Sequence, residues 1–226
     1  MYTLNHEIQG GNLPVLISYP QNGQTVYAES GAMSWMSPNM QMETAAGGIG
    51  KAFSRLITRE NMFLNFYTPQ GGPGLLAISS NLPGSILPIE MDGSRGFILQ
   101  KSSFLAATTE IQHELYFQRK LGAGFFGGEG FVLQRFFGRG TLFVEVDGHA
   151  WSCYLQAGEQ IVVDTGYMAM MDDTCTMDIR QVPGLKNKLL GGEGFFNTVI
   201  TGPGNVTLQT HPAVKLVAAL PFPAHS

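Results

Sequence analysis

Five histidines, His6, His113, His149, His211 and His225, and two cysteines, Cys153 and Cys175, are the first candidates for metal or nucleophile chemistry. No two of the histidines fall within five residues of each other. His149 and Cys153, four apart on an extended segment, would share a face and could hold an ion together. A third ligand is missing from their surroundings, so packing residues beside a turn is the better reading. Gly122-Ala123-Gly124-Phe125-Phe126-Gly127 satisfies G-x-G-x-x-G, but a dinucleotide site needs a strand before the glycines and a helix opening within them. Here a strand, Phe131 to Phe137, is expected after them, so the glycines read as a connection between strands. Asp172-Asp173 beside Asp178 reads as a solvated acidic loop, and no G-x-S-x-G nucleophile elbow occurs. The sequence therefore assigns no catalytic residue, no metal ligand and no cofactor.

The elements that would position any such groups are extended. Of 226 residues 29 are Gly, about twice the usual ~7%, which favours tight turns over long helices. Charged residues make up only 13%, about half the usual ~25%, and low charge over a large surface implies that partners cover part of it. The thirteen Lys and Arg are scattered, with no run longer than Arg119-Lys120, so nucleic acid is not an expected partner. The first residues carry no basic patch followed by an apolar run, and no apolar stretch approaches the ~20 residues that span a bilayer. Two cysteines are too few for a secreted disulfide scaffold, and the expected location is cytoplasmic.

Two elements recur three times in the same order. Glu29-Ser30-Gly31-Ala32-Met33-Ser34 matches Asp164-Thr165-Gly166-Tyr167-Met168-Ala169 and, more loosely, Lys101-Ser102-Ser103-Phe104-Leu105-Ala106. Each follows an extended run: Thr25-Val26-Tyr27, Ile161-Val162-Val163 and Phe97-Ile98-Leu99. The second element starts at Glu60, Glu129 and Glu193, which lie 31, 28 and 29 residues beyond Glu29, Lys101 and Asp164. It runs to Gly72-Pro73-Gly74, Gly138-Arg139-Gly140 and Gly202-Pro203-Gly204, where reversals are expected because positive φ is cheap for Gly. Asp92-Gly93 and Asp147-Gly148 read as hairpin turns.

The expected fold is thus mainly β: one domain of three tandem diverged repeats, about 1–75, 76–145 and 146–212. Short helices are expected over Lys51 to Arg59, which puts Phe53, Leu56 and Ile57 on one face, and over Pro212 to Leu220, stopped by Pro221. Met33, Met36, Met40 and Met42 cluster around Trp35, and Met168, Met170 and Met171 recur at the equivalent place. Met fills irregular cores and also lines adaptable binding surfaces.

With these residues in hand the chain resembles the family named for altered inheritance of mitochondria, a mitochondrial biogenesis family with many bacterial members. The likeness covers nearly the whole chain. It rests on Glu29-Ser30-Gly31-Ala32-Met33, on Pro83-Gly84 to Met91-Asp92-Gly93, and on Asp164-Thr165-Gly166. Gly191-Gly192-Glu193-Gly194, leading to Thr201-Gly202-Pro203-Gly204 with Leu208-Gln209, completes it. The resemblance implies a fold similar to the tryptophan RNA-binding attenuation protein: a double-stranded β-helix-like sandwich, here in pseudo-threefold arrangement. It brings no catalytic residues. The RNA contacts of the attenuation protein depend on exposed Lys and Arg, and no matching basic cluster stands here.

The function expected is that of a non-enzymatic, self-associating β scaffold that binds an unidentified protein partner, with peripheral membrane association as an option. A small-ligand module with pockets between repeats or subunits is the first rival, and an enzyme of unassigned class the second. Self-association is expected through the outer strands Leu13 to Tyr19 and Val206 to Thr210, which carry no charge to blunt an exposed edge. The ring-forming relatives make a closed trimer the first expectation.

Overall fold

The computed structural model describes residues 3–45, 64–119, 130–181 and 196–212. They are strands and turns almost throughout, with short 3₁₀ turns at Lys101–Ser103 and Thr165–Tyr167. The expected helix over Lys51 to Arg59, all of the one over Pro212 to Leu220 beyond its first residue, the G-x-G-x-x-G run, and Glu60, Glu129 and Glu193 lie outside the described residues. Branched and aromatic side chains, favoured on a pleated surface, supply the strands.

The first seven strands are β1 His6–Gln9, β2 Val15–Ser18, β3 Val26–Glu29, β4 Met33–Met36, β5 Met40–Thr44, β6 Leu64–Pro69 and β7 Leu76–Ser79. Five follow: β8 Gly84–Asp92, β9 Phe97–Gln100, β10 Phe104–Thr108, β11 Ile111–Arg119 and β12 Phe131–Asp147. The last six are β13 Ala150–Leu155, β14 Gln160–Asp164, β15 Met168–Asp172, β16 Thr176–Gln181, β17 Phe196–Thr201 and β18 Gly204–Gln209.

One pairing scheme occurs in each group, and all of it is antiparallel. In the first, β7 lies between β2 and β4, and β6 between β3 and β5. In the last, β18 lies between β13 and β15, and β17 between β14 and β16. In the middle group the single strand β12 serves both ladders. Its residues 131–138 lie between β9 and β11, and its residues 139–147 pair with β8 and β10. Two further ladders join the groups, β3 to β10 and β9 to β15, and link most strands into one eleven-stranded sheet.

Several turn assignments change. The strands on either side of Asp92-Gly93 do not pair with each other, nor do those flanking Asp147-Gly148: β8 and β9 take different halves of β12, and β13 goes to β18. Asp-Gly supplies the tight turn, with Gly93 at φ +84 and Gly148 at φ +74. Asp92 Oδ1 accepts from the Ser94 N–H and hydroxyl at 2.8 and 2.6 Å. The next strand, however, finds its partner elsewhere. The Gly-x-Gly motifs are likewise places where the chain passes between ladders and not reversals within one. At Gly138-Arg139-Gly140 β12 runs straight through. Both glycines have positive φ, and a Cβ would collide with the Glu110 carbonyl at Gly138 and with the Thr108 hydroxyl at Gly140. The turn between β10 and β11 therefore packs where only glycine fits.

The core falls into three clusters. The central one holds Tyr27, Phe66, Phe97, Phe104, Phe136 and Leu142, and the others lie in the first and last groups. Tyr27, Phe104, Phe136 and His113 stack with ring centroids 5.1–6.2 Å apart, joining the first two groups. Each fully buried aromatic contributes about 1.5–3 kcal/mol. Thr141 ties three segments: its hydroxyl donates to Glu90 Oε1 at 2.9 Å and accepts from the Leu4 N–H at 3.3 Å, and its own N–H donates to Thr108 Oγ1 at 3.3 Å.

Candidate interaction edges

The ladders fix which residues correspond. Ala28, Leu99 and Val163 face Asn65, Gln134 and Thr198 on their partner strands. Glu29 and Asp164 therefore correspond to Gln100, and the expected alignment on Lys101 is one residue too late. From those positions four residues lead to Met33, Phe104 and Met168, the first residues of β4, β10 and β15. A register shift follows each of these residues, before Trp35, Ala106 and Met170. The extra residue bends all three strands alike.

The strands in these positions meet in two junctions. Ala28 faces Ala106 and Tyr27 faces Ala107 across β3 and β10. Leu99 faces Met170 and Ile98 faces Met171 across β9 and β15. All eight residues are buried. That leaves one strand of each kind, β14 and β4, and neither pairs on its outer side among the described residues. Val162, the counterpart of Tyr27 and Ile98, is 62% exposed, and Trp35, the counterpart of Ala106 and Met170, is 49% exposed.

These edges are not the ones expected. Residues 13–19 contain β2, which is flanked by β1 and β7, and residues 206–210 belong mostly to β18, flanked by β13 and β15. Lack of charge on both strands reflects an interior place. Trp35 and Val162 went unnoticed as edge residues, although the match of Met33-Ser34-Trp35-Met36 to Met168-Ala169-Met170-Met171 pointed to β4. Of the methionines, Met170 and Met171 are sealed at the junction, Met168 and Met40 are buried, Met33 and Met36 are half-buried and Met42 is exposed.

The described chemical candidates have structural partners, and His225 lies outside the described residues. His149 sits in the turn before β13, its N–H bonded to Thr210 Oγ1 at 2.8 Å, while Cys153 lies half-buried against the last cluster. Cys175 is buried, and burial raises its thiol to about 11. His6 Nδ1 meets the Leu4 carbonyl at 2.8 Å. Buried His113 lies 3.4 Å from the Tyr27 hydroxyl, and burial lowers its pKa to about 4. Asp172 is buried and accepts from the Asn205 N–H and side-chain amide at 2.9 and 2.8 Å, so it pins the turn into β18 and is not part of a solvated loop. Asp173 accepts from Arg135 at 2.8 Å, and exposed Asp178 pairs with Arg180 at 2.9 Å. The described residues hold no cluster of three potential metal ligands, and no described helix is long and apolar enough to cross a membrane.

Known proteins match along this whole framework. The family described as mitochondrial biogenesis AIM24 matches residues 6–211. An uncharacterised protein of Streptococcus pyogenes serotype M6 is 26% identical over 219 residues, covering 92% of this chain and 85% of its own length. A crystal structure of a Streptococcus pyogenes protein superimposes with a TM-score of 0.75 at 23% identity, covering 95% of this chain and 97% of that one, and so shares the fold.

Proposed function

The chain belongs to the mitochondrial biogenesis AIM24 family, and we propose that it acts as a non-enzymatic, self-associating β scaffold. One observation carries the reading. Among the described residues two strands, β4 and β14, stand open in positions whose counterparts are covered by other strands of the same chain. A bare strand edge pairs with whatever backbone it meets, and β4 carries no charge to blunt it, while β14 carries one only at its last residue, Asp164.

The same reading treats the chain as three diverged units, a double-stranded β-helix-like sandwich in pseudo-threefold arrangement. The thrice-repeated ladder scheme and bulge support it, with joins proposed near 79–84 and 147–150. The structural roles of His113, Asp172 and Asp173 support a non-catalytic protein.

Light scattering coupled to size exclusion tests the scaffold. The expected mass is a multiple of 24.5 kDa, with three copies the first expectation. A mass of 24.5 kDa throughout micromolar dilution would sink the reading.

A further inference from the structure

We infer that β14 of one copy adds to β4 of a second copy as an antiparallel strand, with Val163 opposite Trp35 and Val162 opposite Met36. The inference deepens the scaffold reading and rests on it. The register is carried over from the chain's own junctions. Leu99 faces Met170 and Ile98 faces Met171, while Ala28 faces Ala106 and Tyr27 faces Ala107. Replacing Leu99 and Ile98 by Val163 and Val162, and Met170 and Met171 by Trp35 and Met36, gives the third pairing of the series.

Composition supports the same occupant. Ile161-Val162-Val163 has the character of Phe97-Ile98-Leu99, and Met33-Ser34-Trp35-Met36 that of Met168-Ala169-Met170-Met171. β4 contains no charged residue and no proline, the usual devices that keep an edge from pairing. Trp35 puts a large aromatic where the internal junctions use Ala and Met, and aromatic side chains are enriched at contacts between chains.

The covering strand is taken from another molecule, since β4 and β14 do not pair with each other among the described residues of one chain. Val162 is 62% exposed where Ile98 and Tyr27 are 0% exposed. Addition would merge the four-stranded sheet that ends in β4 with the three-stranded sheet that begins at β14, a seven-stranded sheet across the contact. The contact is head to tail, so it grows until rotation closes a ring.

Two cysteine variants test the register. Met36→Cys and Val162→Cys are purified separately, checked for native circular dichroism, mixed and oxidised with copper–phenanthroline. The expected product is a covalent dimer in the mixture, above the background of either variant alone, with peptide mass spectrometry locating a bond between positions 36 and 162. Paired residues across an antiparallel ladder lie within disulfide reach. A double variant that forms only an internal bond and migrates as a monomer would overturn the inference, since the edges would then close within one chain. An oligomer by light scattering with no 36–162 bond in the mixture would overturn it too, while leaving the scaffold standing. A monomer by light scattering removes both. As a second probe, Val162→Glu on the open edge should shift an oligomer toward monomer with circular dichroism unchanged, and an unshifted oligomer counts against the inference.

Discussion

Ile98 and Val162 occupy the same rung of corresponding strands, yet Ile98, paired beside β15, is wholly buried while Val162 stands in solvent. A weaker contrast separates buried Met171 from half-buried Met36. Side-chain type does not explain it, because both members of each pair are apolar. What differs is whether another strand follows in the right place. On the proposed reading, the apolar residues of the open strands mark the place of a neighbour whose character the covered counterparts supply.

The largest effect expected from this contrast is on stability. Ile98→Ala should cost about 2–5 kcal/mol, because it leaves a cavity in a sealed junction. Val162→Ala, at dilution where any oligomer has dissociated, should change stability by less than about 0.5 kcal/mol. Urea unfolding at several protein concentrations measures both. Equal losses at dilution would mean that the two strands are covered alike.

A second contrast lies within the joined region, where two buried ionisable groups pull in opposite directions with pH. His113 is held near pKa 4 by burial, against an ordinary 6.5. The unfolded chain takes up this proton first as pH falls, so stability is full above about pH 6.5 and lost down to about pH 4, by at most ~3 kcal/mol. Glu145 is raised from 4.5 to about 7, by burial first and then by the charges of Asp147 and Glu29. The folded chain keeps this proton longer, so stability is full below about pH 4.5 and lost as pH rises through 7, by a similar amount. His113→Phe should flatten the acid limb and Glu145→Gln the limb up to pH 7, each read from urea midpoints across pH 4–8. An unchanged limb in either variant assigns that slope to another group.

The smallest expected effect separates the straight-through corner from the interrupted ones. Gly138→Ala should cost about 1–3 kcal/mol, since the added methyl meets the Glu110 carbonyl at positive φ. Gly72→Ala, with open space around it and an ordinary φ, should be close to neutral. Thermal melts of the two variants make the comparison, and a neutral Gly138→Ala would show that the turn between β10 and β11 can move aside.

The mainly β class was legible because alternating and apolar runs bounded by Gly signal strands wherever they fall. The strands around Val26, Phe97 and Ile161 also stand where the sequence put them. Pairing was less legible. Asp92-Gly93 and Asp147-Gly148 carry the chemistry of a hairpin turn, but turn chemistry is local and the partner of the next strand is not. The edges were misplaced for the same reason: Leu13 to Tyr19 and Val206 to Thr210 are uncharged because they are interior, a state indistinguishable in composition from an edge awaiting a partner. The one-residue shift from Lys101 to Gln100 arose because Lys101-Ser102-Ser103 offers no Gly to anchor the alignment, so only the ladder registers could settle it.

Thr141 also sets a schedule. Its hydroxyl bonds Glu90, 51 residues earlier, and Leu4, 137 residues earlier. At ~5–20 residues per second on a ribosome, β8 would wait about 3–10 seconds for its partner half of β12, and Leu4 about 7–27 seconds. A β-hairpin can close in about 1–10 microseconds, so the delay is one of supply and not of folding speed. Leu4 and β8 thus wait on β12, while β1, β2 and β4 already have their partners once β7 is made.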